Sequence, residues 1–366
     1  MSLFYKRKYD YTTEYGILGL KIKFTDKKLK EELLRYRYMP LPSPPINYIF
    51  MNMDCFGEKE KRWFLAKQTY EKCGYYPNLS NPKTFNEKIQ WMNLNYFNPI
   101  EQICNDKIDF KNYIREKLGE GYTAKLLGIY DSVDDIDLDK LPEQFVLKNT
   151  LTGDDYGVKI VKDKNKIDIN KFKYDANNML QQWTSGYYAS LNRNSNKPVR
   201  LFAEEYLGAL DDDLDDYKFM CFNGKFQLGY VDVRIPNQKG KIYYFDKEWN
   251  LLPIKYSNHE ADPSFFPKKP SNFDKMVEIS EFLAKEFPYV RVDFYIFDKK
   301  LYMGELTFTP GGGFGKYNDD WDLKLGEMLD LTKIDEKYLI NDEAKTLVGV
   351  RERVIPLPVK KYIKVA

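Results

Sequence analysis

From Val290 to Gly313 the chain reads VRVDFYIFDKKLYMGELTFTPGGG, with apolar and polar positions alternating on both sides of a short polar turn, DKK. That alternation predicts a β-hairpin, because successive side chains on a strand point to opposite faces. Folded about Lys299, the hairpin sets Asp293 opposite Glu305 and Arg291 opposite Thr307, all four on one face. The other face carries Val292, Phe294, Ile296, Leu306 and Phe308, an apolar set suited to a core. Facing carboxylates repel each other, so the pairing asks for a cation between them. Mg²⁺ suits the position, since it takes one or two carboxylates and fills its octahedron with phosphates and water. A solvated polar face with weak diagonal ion pairs is the plainer reading of the same residues.

Elsewhere the pattern divides the chain into regions. Residues 1 to about 40 are basic and aromatic, and TDKKLKEELLRYRY predicts a short amphipathic helix, suited to packing or to touching an anionic surface. MPLPSPP then breaks structure and marks a linker. Between about 56 and 120 the spacing turns helical. GEKEKRWFLAKQTYEKCG ends at Gly74, NPKTFNEKIQWMNL opens at Asn81 and Pro82, and IDFKNYIREKLG stops at Gly119. From LLGIY and FVLK to about residue 310, strands dominate: GVKIVKD, VRLFAEEYL, DYKFMCFNGKFQLGYVDVR and GKIYYF. One helix, NFDKMVEISEFLAKEF, interrupts them, and the tail from about 325 shows no clear period.

Composition narrows the function. With 366 residues, 43% hydrophobic, the chain is long enough for two or three domains. Its 57 basic and 55 acidic residues leave a net charge of +2, so no global field points to nucleic acid. Cys55, Cys73, Cys104 and Cys221 lie far apart, which argues against a disulfide scaffold or zinc site and for a reducing cytoplasm. No run approaches the roughly 18 apolar residues of a membrane span. The single histidine, His259, has no Ser or Cys partner suggested by spacing.

Three further stretches carry candidate chemistry. In FVLKNTLTGDDYGVKIV, Lys148 ends an apolar run and a loop with Gly153 and Gly157 follows, where backbone N–H groups can approach a phosphate. It lacks the GKS/T of a Walker A loop, and a plain hairpin explains it as well. In RLFAEEYL, a strand ending at Glu204 and Glu205 can offer backbone and carboxylate to a flat base, or simply be an acidic strand end. The LDDDLDD run, with Asp211–Asp213, reads either as a solvated turn or as the metal-chelating aspartates of a glycosyltransferase.

Taken in order, NDK, FVLK with its glycine loop, EEYL, DYKF, RVD and GELT resemble the ATP-grasp fold of carboxylate–amine ligases over roughly residues 60–325. The lead-in NPKTFNEKIQWMNL and the block DYKFMCFNGK resemble its TupA-like branch, named for a teichuronopeptide biosynthesis protein. The resemblance implies an α+β fold, two α+β subdomains clasping ATP, with a helical N-terminal extension. The implied division is an extension and linker over 1–55, a helical lead-in over 56–125 and a small subdomain with a flap over 126–208. A large subdomain with the metal site covers 209–330, and a tail covers 331–366.

The resemblance also implies roles. Lys107 and Lys148 would hold ATP phosphates, and the loop from Thr152 through Gly153 to Gly157 would cover them. Glu204 would take the adenine amine, the backbone of Glu205 and Leu207 the ring, and Asp216 the ribose. Asp293, Glu305 and Thr307 would ligate Mg²⁺, with Arg291 and Lys148 acting on the transferring phosphoryl group. Two departures stand out: Thr307 replaces the asparagine usual in these ligases, and Asp154 and Asp155 lie where phosphates approach. The implied cofactors are ATP and Mg²⁺. The implied substrates are a uronic-acid-containing saccharide and an amine or amino acid, handled in the cytoplasm at the inner face of the membrane beside other polysaccharide-assembly enzymes. A glycosyltransferase using a nucleotide-sugar, and a binding protein that keeps the shape without turnover, remain open at this point.

Overall fold

The computed structural model describes residues 4–9, 12–17, 20–25, 58–151, 157–181, 198–208, 214–233, 240–257, 261–262, 264–318 and 320–340. The expected helix after Thr25, the proline-rich linker, Thr152 and Gly153 of the flap, Asp211–Asp213 and His259 lie outside the described residues. Strands β1 (Phe4–Tyr9), β2 (Thr12–Ile17) and β3 (Leu20–Thr25) pair antiparallel in a meander. The helical N-terminal extension expected from the sequence thus begins with strands.

The lead-in is helical, as its spacing requires. Helix α1 (Glu58–Cys73) closes at Gly74, whose N–H donates to Tyr70 O at 2.9 Å. Helix α2 (Phe85–Asn95) begins later than the Asn81–Pro82 reading, because Thr84 caps it. The Thr84 hydroxyl accepts from Glu87 N, and the Glu87 carboxylate reaches back to Thr84 N, a reciprocal box that fixes the start. Helix α3 (Pro99–Asn105) and helix α4 (Lys107–Leu118) follow; Asp106 caps α4 and Gly119 ends it.

Two antiparallel sheets carry the rest. The smaller contains β4 (Leu126–Tyr130), β5 (Phe145–Asn149) and β6 (Val158–Val161). Helix α5 (Ile169–Gln181) and strand β7 (Leu201–Glu205) follow. The strand order is β4-β7-β5-β6. β7 lies inside the sheet, which is why Leu201, Phe202 and Ala203 form an unbroken buried apolar run. Phe172, Ala176 and Met179 of α5 pack on Phe145, Leu147, Leu201 and Ala203.

The larger sheet contains β8 (Asp216–Phe222), β9 (Lys225–Val233), β10 (Lys241–Asp246) and β11 (Leu251–Leu252). Helix α6 (Phe273–Ala284) then leads to β12 (Tyr289–Phe297) and β13 (Lys300–Thr307). The order is β11-β10-β9-β8-β12-β13. Val290, Val292 and Phe294 face α6, α3 and α4 in one core. Tyr289, Met220 and Phe222 face the opposite layer, made by α2 and α7 (Trp321–Met328).

The tail is more ordered than its pattern suggested. Leu325, Leu329, Leu331, Ile334 and Leu339 are all buried in this second core. The boundary drawn at residue 330 therefore falls inside a packed unit. Short 3₁₀ turns at Leu331–Lys333 and Glu336–Tyr338 have no period of 3.6, so the spacing gave no signal. Among the described residues, no helix is long and apolar enough to cross a membrane.

Candidate active site

The β12–β13 hairpin has the predicted pairing, reached by a different route. Asp298 and Lys299 form a two-residue turn at φ 48° and 62°, with Phe297 paired to Lys300. Counted outward from that turn, Asp293 would meet Gly304. A bulge intervenes: Phe294 pairs with Met303 and Asp293 with Glu305, leaving Gly304 as the extra residue. A Cβ on Gly304 would lie 2.7 Å from the Tyr295 ring, so only glycine lets that ring cross the bulge. Beyond it Arg291 pairs with Thr307, as the alternation predicted.

The polar face of this hairpin converges on one nitrogen. Arg291 Nη2 donates to Asp293 Oδ2 at 2.6 Å, to Glu305 Oε1 at 2.9 Å and to Thr307 Oγ1 at 2.9 Å. Arg291 Nε donates to Asp293 Oδ1 at 2.7 Å, and Nη1 to Tyr230 OH at 3.1 Å. The Thr307 hydroxyl in turn donates to Glu305 Oε1 at 2.8 Å. Burial alone would raise the Asp293 pKa, but the Arg291 and Lys218 charges outweigh it and hold the carboxyl below its ordinary value. Lys218, on the neighbouring β8, bridges Asp293 Oδ2 and Asp216 Oδ2 at 2.6 Å each. Burial pushes the Asp216 pKa up to about 6 despite Lys218, and the neighbouring Asp293 charge adds to the shift.

A second cluster lies where α4 meets the smaller sheet. Lys107 opens α4, and its N–H donates to Thr150 O at 3.0 Å. Glu204 is buried on β7, with Lys148 Nζ at 2.5 Å and Lys111 Nζ at 2.6 Å. Burial would raise the Glu204 pKa, yet the two lysines bring it below its ordinary value. Burial pulls the Lys107 ammonium down to about 8; Lys148 adds to the shift, while Glu305 and Glu204 oppose it. Lys107 thus stands where the two clusters meet.

The structure brings together Lys107, Lys148 and Glu204, and separately Arg291, Asp293, Glu305, Thr307 and Asp216. Several expected placements change. Glu204 is held between two lysines, so an adenine amine reaches it only by sharing that carboxylate. The Glu205 N–H donates to Lys125 O at 2.9 Å, which commits the donor expected to read a base. Leu207 lies half-buried just past the end of β7, and Gly157 is buried at the entry to β6. Asp216 is buried, accepts from Lys218 and lies 3.4 Å from Tyr295 OH, so its side chain does not stand open to a ribose.

Sequence reasoning missed four residues. For Lys111 and Lys218 the only signals are their places, Lys111 one helical turn after Lys107 and Lys218 two residues after Asp216. Asn86 and Gln90, also one turn apart, grip the loop that follows β13. Gln90 Nε2 donates to Gly312 O at 2.7 Å and to Gly313 O at 3.1 Å, and Asn86 Nδ2 donates to Gly315 O at 2.7 Å. Gly311, Gly312 and Gly313 take φ of 55°, 67° and 74°, a left-handed run that other residues adopt at a cost.

The two clusters differ in their charged groups. At the hairpin Arg291 and Lys218 face Asp293, Asp216 and Glu305, two cations against three carboxylates. At α4, Lys111 and Lys148 pair with Glu204 and Lys107 lies close by, while the Asp106 and Glu205 carboxylates also act on these lysines. The first has a carboxylate in excess, and the second presents several ammonium groups, of which Lys148 is the partly exposed one. Among the described residues, no group of three or more His, Cys, Asp or Glu side chains is arranged to hold a metal by itself. The donors that do converge, Asp293, Glu305 and Thr307, are hard oxygens focused on a position now held by a cationic nitrogen, and this fits Mg²⁺ completed by ligand oxygens and water.

The family described as TupA-like ATPgrasp matches residues 87–330, well over half of the chain. The chain belongs to this family. A TupA-like ATP-grasp protein falls within the ATP-grasp ligase superfamily, whose members use ATP and Mg²⁺ as a class. The α+β ATP-grasp fold expected from the motifs is therefore the fold found. A comparison with curated proteins gave no match. Solved structures similar to this TupA-like chain include D-alanine–D-alanine ligases from two sources. That of Helicobacter pylori shows 14% identity, 62% of each chain covered and a TM-score of 0.34. That of Bacillus anthracis complexed with ATP shows 14% identity, 69% and 82% covered and a TM-score of 0.38. The D-alanyl-alanine synthetase A of Vibrio cholerae shows 12% identity, 60% and 61% covered and a TM-score of 0.37. The chain spans less than two thirds of the Helicobacter and Vibrio enzymes.

Proposed function

We propose that the chain is an ATP-dependent carboxylate–amine ligase that joins a uronic acid of a bacterial surface saccharide to an amino acid. The observation that carries the reading is the junction at Lys107, where the lysines about Glu204 come up to the carboxylates of the hairpin through Glu305. A metal-bound polyphosphate satisfies both at once. The resemblance to a teichuronopeptide biosynthesis branch supports the acceptor class, by analogy of family alone.

In the first step a carboxylate oxygen of the saccharide attacks the γ-phosphorus and ADP leaves, giving an acyl phosphate. In the second an amine attacks the acyl carbon, inorganic phosphate leaves, and the nitrogen loses a proton to give the amide. Lys107 and Lys148 would hold the phosphates as point charges. Arg291 would stabilise charge on the transferring phosphoryl oxygens. Asp293, Glu305 and Thr307 would hold Mg²⁺, which supplies neutralisation of phosphate charge when bound. The chain's own contribution is positioning and electrostatics.

Calorimetric titration with Mg·ATP, against a panel of Mn·UDP-sugars, tests the reading. Micromolar Mg·ATP binding that is lost in Glu305→Gln is the expected result. Binding of a UDP-sugar without response to ATP would overturn it and move the search to the Asp211–Asp213 run.

A further inference from the structure

Glu204 is gripped from two sides by lysines that are not equivalent. Lys148 approaches from β5, diagonal to Glu204 on the adjacent strand, with Nζ 2.5 Å from Oε1. Lys111 approaches from α4, one turn after Lys107 and hence on the same helix face, with Nζ 2.6 Å from Oε2. The Lys111 ammonium donates a further bond to Ala124 O at 2.8 Å and stands 6.0 Å above the Phe202 ring. Its side chain is 13% exposed, against 28% for Lys148. Lys111 is pinned by three neighbours, whereas Lys148 is the arm with room to turn. A buried carboxylate stripped of its cations is costly, so any ligand that draws Lys148 away depends on another cation remaining with Glu204.

We propose that Lys111 is a positioning residue for the nucleotide site: it stays on Glu204 and so frees Lys148 to turn to an incoming phosphate. This inference rests on the nucleotide reading given above. With Lys111 removed, Glu204 retains Lys148 alone, and every phosphate-bearing ligand must break a tightened ion pair. The penalty falls on ATP and not on adenosine, which has no phosphate to recruit Lys148.

The test is calorimetry on the full chain with Mg·ATP and with adenosine, for wild type, Lys111→Met, Lys111→Arg, Glu204→Gln and the double variant Lys111→Met/Glu204→Gln. Lys111→Met should weaken Mg·ATP about tenfold, the scale of one charge-assisted bond, and leave adenosine unchanged. Lys111→Arg keeps the charge and should recover most of that loss. In the Glu204→Gln background, Lys111→Met should add nothing, because the carboxylate that traps Lys148 is gone. Equal loss of ATP and adenosine, no loss at all, or additive losses in the double variant would each overturn the proposal. A wild-type chain that binds neither ligand overturns the nucleotide reading and this inference with it, an outcome seen before any substitution is made.

Discussion

Asp293 and Glu305 face each other across two strands, yet their surroundings differ: the side chains are 1% and 40% exposed. The two positions should therefore respond differently to loss of charge. Glu305→Gln should keep the melting temperature near wild type while reducing Mg·ATP-dependent turnover by roughly 10²-fold, the scale of one lost electrostatic stabiliser. Asp293→Asn leaves Arg291 and Lys218 facing a neutral group, and removing one member of a buried ion pair costs about 3–5 kcal/mol. Parallel melts and kinetics separate the two effects, and full activity in Glu305→Gln would remove its metal role. Lys107 gives a pH prediction. Its ammonium titrates at about 8 rather than 10.5 in the folded chain, so it is charged below that pH and loses its charge above it. Mg·ATP affinity should fall by up to about tenfold between pH 7 and pH 9, and Lys107→Met should flatten that profile. Stability moves the other way: between pH 8 and 10.5 the unfolded chain binds the extra proton, so the burial penalty on Lys107 is relieved as pH rises. At this scale the shared face of Arg291, Asp293, Glu305 and Thr307 was legible from alternation, while their facing pairs depend on the Gly304 bulge. Lys111 and Lys218 were not legible, since nothing in a lysine's neighbours along the chain says that a carboxylate from another strand will meet it.

Elements with a strong period were readable, and those without one were not. The α4 and α6 helices and the β8–β9 and β12–β13 hairpins stand where their spacing put them. The start of α2 was misplaced because Pro82 was a louder signal than Thr84, although Thr84 and Glu87 carry the capping box. DKK stands out in the sequence as a short polar stretch, but only Asp298 and Lys299 form the turn, both at positive φ. The wrong turn still gave the right facing pair, because the bulge at Gly304 shifts the register by one residue. The region after α7 was unreadable for want of period and is nonetheless core. Ending the chain at Asp330 removes Leu331, Ile334 and Leu339, each contributing about 1.5–3 kcal/mol by burial. Thermal denaturation of that truncation should show a large fall in stability; an unchanged melt would mean the segment is a dispensable tail.

Across the whole molecule, the site is assembled from distant pieces: α4, the smaller sheet and the β8, β12 and β13 edge of the larger one. Every residue assigned to ATP or Mg²⁺ lies between Lys107 and Thr307, so removal of the first 40 residues should leave Mg·ATP affinity unchanged. Loss of affinity in that truncation would place part of the site in the N-terminal region. Order along the chain identified the fold, while partner choice within each charge cluster depended on folding and stayed hidden. The bulge at Gly304 has a consequence for how the chain reaches its native state. A slip of one residue between β12 and β13 would turn Glu305 and Thr307 toward the phenylalanine-rich core and expose Leu306 and Phe308 in their place. Charged groups in that core would be far costlier than a misplaced methylene, so mispaired hairpins are strongly disfavoured while folding proceeds. Glu305, proposed above as a metal ligand, therefore also acts as a proofreading device for strand alignment.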